Sequence, residues 1–277
     1  MRVSIVTPSF NQGRYISRAI ESVKQEATQA EIEHIVLDNC STDETGALLR
    51  GYQQSPGGVD LLVKVRRDSG QTATINQGFR LATGQIVCWL NTDEWYTPGA
   101  ISQVVRAFEM HPEVDVIFGN CYFTDAGGSV LGQRRETFFS RAMLIYRGCY
   151  IPSCATFVRR RPGRPNSELD ESFRVAMDWD WYLRLADEGR RFRVIDSPLA
   201  YFAWHDSNLS RDQKLQTVAA TERRRLQERY APKWLPPPFR GATFFVNGLV
   251  WRVIRVLRNR LWSRIDRRRN VAVRTSG

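Results

Sequence analysis

The chain has 277 residues, 42% of them hydrophobic and 25% charged, an ordinary globular composition with length for one large domain or two modest ones. The net charge of +11 is unevenly spread: residues 234 to 277 hold ten Arg and one acid, Asp266, which leaves only +2 on residues 1 to 233. A nearly neutral main body excludes generic nucleic-acid binding, which needs a basic stripe over the folded surface.

Five apolar segments alternate with helical patterns in the first 120 residues: Val3 to Thr7, His34 to Asp38, Leu61 to Val65, Gln85 to Leu90 and Val114 to Gly119. Short, nearly continuous apolar strands between helices predict an open, mostly parallel α/β sheet covered on both faces. Ser41 and Glu44 have capping-box spacing, and Thr97-Pro98 reads as a cap before a helix that runs to about Met110. Beyond Gly119 the pattern turns to α+β. A hairpin is expected over Tyr122 to Arg134, a strand near Ala155 to Val158, a helix from Met177 to Glu188, and strands over Phe192 to Ile195 and Leu199 to Trp204. A charged helix from Asp212 to Tyr230 follows, and Pro236-Pro237-Pro238 marks a boundary before the basic tail.

Five cysteines, Cys40, Cys88, Cys121, Cys149 and Cys154, contain no CxxC pair and read as reduced thiols of a cytosolic protein. The opening MRVSIVTPSF lacks both the basic-then-apolar run and the cleavage site of a signal peptide, and no segment reaches the ~20 apolar residues of a membrane span.

In an open α/β sheet, ligands bind beyond the carboxyl ends of the strands. Four polar clusters fall there: Thr7-Pro8-Ser9-Phe10-Asn11, the run from Asp38 to Asp43, Arg67-Asp68-Ser69-Gly70-Gln71, and Asn91-Thr92-Asp93-Glu94. Each alone is ordinary turn chemistry. Four at one end of one sheet point to a shared site.

The stretches VSIVTPSFNQGRYISRAIESV, VLDNCSTDETGALL and RRDSGQTATINQGFRLATGQIVCWLNTDEWYTPGA resemble the nucleotide-sugar-dependent glycosyltransferases of family 2, which have a GT-A fold. The resemblance is ordered over the first 110 residues and looser to about His205. It implies that Asp38 accepts a hydrogen bond from the donor's base in a pocket shaped by Pro8, Phe10 and Asn11, and that Asp68 is a second donor-binding carboxylate. Asn91-Thr92-Asp93 then corresponds to the family's DxD motif, with Asn91 in place of the first acid. Asp93 would hold a divalent metal, Mn2+ or Mg2+, that neutralises the nucleotide diphosphate. Asn91 and Thr92 would lie against the nucleotide, and whether Asn91 meets ribose or metal-bound water stays open. The plainer reading makes Asp93 and Glu94 mere neighbours of the Thr97 cap.

An acceptor hydroxyl needs a general base. In Met177-Asp178-Trp179-Asp180-Trp181-Tyr182, helical spacing puts Asp178 on the apolar face with Trp181, Tyr182 and Leu185, and Asp180 on a solvated face with Arg184 and Asp187. Partial desolvation favours Asp178 as the base, in agreement with the family's acidic motif before an aromatic-rich helix. An N-terminal helix residue favoured by the dipole is the alternative. Trp179 and Trp181 are candidates to stack on an acceptor sugar, although helix aromatics are more often core. His205 ends a strand where, in some relatives, a His reaches the metal or the diphosphate; as a lone His it reads equally as structural.

From Val250 to Ile265, apolar residues at i, i+3, i+4, i+7 alternate with arginines, the composition of an interfacial amphipathic helix or of one that docks on a partner. The expected organisation is a GT-A-like domain over 1–232, with a nucleotide-sugar-binding half (1–97) and an acceptor half (98–232), then a basic amphipathic tail over 233–277. The expected activity is inverting transfer from a nucleotide diphosphate sugar, UDP-linked, to a saccharide or lipid-linked acceptor in cell-surface polysaccharide or glycolipid synthesis. The chain would sit peripherally on the inner membrane face. Two alternatives stand beside it: a sugar nucleotidyltransferase, which would want a Gly-rich, basic triphosphate loop after the first strand, and a non-catalytic nucleotide-binding, membrane-docking protein.

Overall fold

A computed structural model describes residues 1–161, 168–205 and 213–231, with Val253 alone beyond them. The amphipathic tail expected over 233–277 lies otherwise outside the described residues. Among the described residues no helix is long and apolar enough to cross a membrane.

Strands β1 (Val3–Ser9), β2 (Ile32–Asp38), β3 (Asp60–Val65), β4 (Ile86–Trp89), β5 (Glu94–Tyr96), β6 (Val116–Thr124), β7 (Val130–Arg134), β8 (Thr156–Arg159) and β9 (Phe192–Ala203) form one sheet. Its order is β3-β2-β1-β4-β8-β6-β9-β5, with β7 paired to β6. The first four are mutually parallel, β8 reverses, and β6 and β9 resume the original direction. The sheet is mixed and mostly parallel, as the sequence predicts.

The apolar runs sort by a period of two. On one face Val6, Ile35, Val87 and Trp89 meet Ile75 and Phe79 of α3 (Gln71–Leu81) and Trp181, Tyr182 and Leu185 of α6 (Met177–Asp187). On the other, Val3, Ile5, Ile86 and Cys88 meet Ala19 and Val23 of α1 (Gly13–Glu26) and Ile101, Val104 and Phe108 of α4 (Ala100–Met110). Burying each large side chain here contributes on the order of 2 kcal/mol. Helix α2 (Thr45–Gln54) covers β2 through Leu49, while the short α5 (Arg141–Tyr146) and α7 (Gln213–Tyr230) pack outside α6. Helix α3 lies so close to β1 that a Cβ on Gly78 would stand inside the Val6 side chain.

Several boundaries differ from the sequence reading. The strands expected over 114–119 and 122–124 are one continuous β6, and those over 192–195 and 199–204 are one β9 that stays in step with β6 through register shifts at Gly119 and Asn120. Strand β5 and helix α5 are additional elements, three and six residues long, too short for periodicity to declare them.

The expected caps are also different. Ser41 and Glu44 form no capping box; Asp43 instead accepts from the N–H of Thr45 at the start of α2 and from the N–H of Gly13 at the start of α1. The Thr97 hydroxyl donates to the Pro198 carbonyl, not to α4. Helix α4 begins after Gly99, whose φ of 76° needs no Cβ, and Glu26 from the end of α1 caps it by accepting from Gly99 N at 2.7 Å and Ile101 N at 2.8 Å. Glu26→Ala should therefore lower unfolding stability by about 2 kcal/mol, read by urea denaturation, because two N–H groups in a buried junction lose their acceptor.

Candidate active site

The carboxyl ends of β1, β3 and β4 open into a cleft of about 1090 Å³. Of the residues expected in the site, Pro8, Phe10, Asp68, Asn91, Thr92, Asp93, Asp178 and His205 line it. Asn11 and Asp38 stay outside the lining. Asp38 is 2% exposed and its oxygens accept from the Ser9 hydroxyl at 3.0 Å and the Ser41 N–H at 2.9 Å. Asn11 has φ of 52° and accepts from the Thr42 N–H at 2.8 Å. The two brace the β1 and β2 end loops against each other.

Asp68 is held at the start of α3. Its oxygens accept from the Gly70 N–H and the Thr74 hydroxyl, while its own N–H donates to Asn39 Oδ1 at 3.0 Å. Asn91, in the first position of the DxD-like motif, accepts from Gln71 Nε2 at 2.8 Å, so that position ties the β4 end to α3. Glu94 turns away from the cleft, buried, and accepts from the Asn91 N–H at 2.8 Å. Burial, with the Asp93 charge beside it, pushes its carboxyl up to about 8. Asp93 is thus the acid of this turn that faces the cleft.

Asp93 meets His205. Strand β5 pairs antiparallel with the end of β9, Glu94 opposite Phe202, which carries the chain beyond Ala203 back over the β4 turn. Asp93 Oδ2 and His205 Nε2 lie 3.1 Å apart, and Tyr15 of α1 stacks on the imidazole with centroids 4.7 Å apart and planes 11° from parallel. The described residues hold no group of three or more His, Cys, Asp or Glu side chains disposed around a metal position. A carboxylate and an imidazole side by side in the lining of an open cleft are donors that suit a divalent ion.

Asp178, on the first turn of α6, faces the same cleft from the other side. Its Oδ1 accepts from the Trp179 N–H at 2.7 Å and its Oδ2 from the Cys149 thiol at 3.6 Å. Burial against the α6 neighbours pushes its carboxyl up to about 6, and burial holds the Cys149 thiol far above its ordinary value, so the thiol stays a neutral donor. Asp180 is a correction to the sequence reading. It is fully buried, accepting from Arg184 Nε at 2.7 Å, Arg229 Nη1 at 2.9 Å and the Tyr230 hydroxyl at 2.8 Å, because α7 covers the face that helical spacing assigns to solvent. Trp179 and Trp181 are both buried, Trp181 against Phe79, Trp89 and Tyr182, and neither is a sugar platform. Sequence reasoning placed Gln71 in a strand-end cluster without a role and gave Tyr15 and Cys149 no place in the site; the three hold site residues in place and carry no motif of their own.

Comparison with known proteins identifies the family and the fold. The glycosyl transferase family 2 profile matches residues 4–163. A glycosyltransferase of Nostoc sp. is 27% identical over 220 residues, 75% of this chain and 66% of its own length. The β-1,3-glucosyltransferase of Campylobacter jejuni that acts on GalNAc(5)-diNAcBac-PP-undecaprenol is 27% identical over 127 residues, 46% of this chain and 40% of its own. Among solved structures, S. aureus TarS 1-349 in complex with UDP-GlcNAc superposes with TM-score 0.60 at 15% identity, over 83% of this chain and 71% of that TarS fragment. The mannosyltransferase PcManGT of Pyrobaculum calidifontis in complex with GDP-Man and Mn2+ gives 0.59 at 16% identity, over 88% of this chain and 73% of its own. The α/β architecture is that of these GT-A-like structures, and with more than half of its length matched, the chain belongs to glycosyl transferase family 2.

Proposed function

We propose that this glycosyltransferase moves a sugar from a nucleotide diphosphate sugar, UDP-linked, to a hydroxyl of a saccharide or lipid-linked acceptor, with inversion at the anomeric carbon. The observation that carries this reading is the meeting of Asp68, Asp93, His205 and Asp178, from four separate segments, around one cleft. Asp93 and His205 would hold a divalent cation at the donor's diphosphate. When bound, that cation neutralises the phosphate charge and, as a Lewis acid, stabilises the leaving diphosphate. Asp68 and the loops braced by Asp38 and Asn11 seat the nucleotide.

Asp178 takes the proton from the acceptor hydroxyl as the new bond forms at the anomeric carbon and the bond to the diphosphate breaks. A carboxyl pushed up by burial is a stronger base than an exposed one, yet ionised above about pH 6. The solved complexes with UDP-GlcNAc and GDP-Man support the donor class, and the undecaprenol-linked substrate of the Campylobacter relative supports a lipid-linked acceptor. The domain runs over 1–232. The composition of 233–277, arginines between apolar residues at helical spacing, suits the surface of an anionic membrane from which such an acceptor is presented.

Turnover and binding measurements test this. Release of nucleoside diphosphate from UDP-GlcNAc or GDP-mannose with Mn2+ should rise with pH through a midpoint of about 6 in kcat/KM, because only the ionised Asp178 accepts the proton. Asp178→Asn should cut kcat by roughly 100-fold or more while nucleotide binding persists. Pyrophosphate exchange in place of diphosphate release would identify a nucleotidyltransferase. Titration calorimetry with UDP and Mn2+ should show Asp93→Ala and His205→Ala each weakening binding by more than about tenfold. Unchanged affinity in either variant would remove that side chain from the cation site.

A further inference from the structure

The base stands on a helix that cannot cap itself. Helix α6 begins after Ala176, which offers no side-chain acceptor, and the described residues 168–176 ahead of it belong to no strand or helix. The backbone N–H groups there need partners from elsewhere. All three at positions 174 to 176 find the same one, Glu222 of α7. Its Oε1 accepts from Arg174 N at 2.7 Å, and its Oε2 from Val175 N at 3.0 Å and Ala176 N at 2.8 Å. Glu222 is 6% exposed and does not line the cleft, whereas Arg174, Val175, Met177 and Asp178 do.

One turn further along, α7 takes hold of α6 again, through Arg229 and the Tyr230 hydroxyl on the buried Asp180. Asp178 lies between these two grips with its carboxylate open to the cleft. Three charge-assisted bonds to consecutive amides fix the backbone two residues before the base far more tightly than water would. A displacement of about 1 Å at a reacting group is enough to cost roughly 100-fold in rate.

We propose that Glu222 is a positioning residue for Asp178: by gathering the N–H groups of residues 174 to 176 it sets where α6 begins, and so where the Asp178 carboxylate meets the acceptor hydroxyl. This rests on Asp178 being the base. Glu222 touches neither donor nor acceptor and acts through the loop alone. It also makes α7, which lies beyond the stretch matched by the family profile, a working part of the active site.

The test uses the full chain, with turnover read as nucleoside diphosphate released from UDP-GlcNAc or GDP-mannose in the presence of Mn2+. Glu222→Gln leaves one acceptor oxygen and sets an NH2 group against backbone N–H, so kcat should fall roughly 10- to 100-fold with the donor KM unchanged. Glu222→Asp, which keeps the charge, should recover part of that loss and serves also if the Gln variant does not fold. Leu226→Ala is the control. It removes a buried side chain from the same helix and should lower the melting temperature without a comparable fall in kcat. Amide hydrogen exchange at Arg174, Val175 and Ala176 should accelerate in Glu222→Gln and not in Leu226→Ala. Unaccelerated exchange overturns the proposal whatever the turnover, and so does a kcat loss in Leu226→Ala that matches that of Glu222→Gln. Full turnover in Asp178→Asn would strike at the base assignment. Full turnover in Glu222→Gln beside an inactive Asp178→Asn would strike at Glu222 alone.

Discussion

A helix that starts inside a protein presents N–H groups that must find acceptors, and in this fold most helix starts lack one of their own. Gln12, Gly70, Gly99 and Ala176 precede α1, α3, α4 and α6 without a side-chain cap. Carboxylates from elsewhere supply three of these: Asp43 for α1, Glu26 for α4 and Glu222 for α6. For α3 the acceptor is local, Asp68 at the Gly70 N–H. A negative charge at a helix N-terminus is also favoured by the helix dipole. The three distant bonds each fix the origin of a helix relative to a second element, and the first turns of α3 and α6 line the cleft.

The sheet does the remaining positioning. Because β1 and β4 are buried on both faces, their polar residues gather at the ends, where Pro8, Asn91 and Asp93 emerge together. Strand β5 then returns along β9, and the register of that pair brings His205 to Asp93 across 112 residues of chain. The separation of carboxylate and imidazole is therefore set by strand pairing, with the Tyr15 ring holding the imidazole plane from α1.

The strand-end clusters and the face of α6 that carries Asp178 were legible in the sequence, because each follows from a local period or a turn signal, and the acid of the DxD-like turn was legible through the family resemblance. What covers a face was not legible. Helical spacing correctly pairs Asp180 with Arg184, four residues on, but says nothing of α7, whose Arg229 and Tyr230 bury the pair. The caps failed for the same reason. Ser41 and Thr97 have the right types at the right spacing, yet Asp38 and the Pro198 carbonyl engage their hydroxyls, so that Asp43 caps α2 and the distant Glu26 caps α4. Asp38 illustrates a third limit: its place at the end of β2 was plain, its engagement with Ser9 and Ser41 was not.

The close seat of α3 on β1 reaches into the cleft. Gly78 lets the helix settle against Val6, and two turns earlier the same helix presents Gln71 to Asn91 and the Thr72 hydroxyl to the Phe173 carbonyl. A methyl group added at position 78 would thus act as a shim beneath one jaw of a vice. Widening or narrowing the cleft therefore requires no change in any residue that lines it.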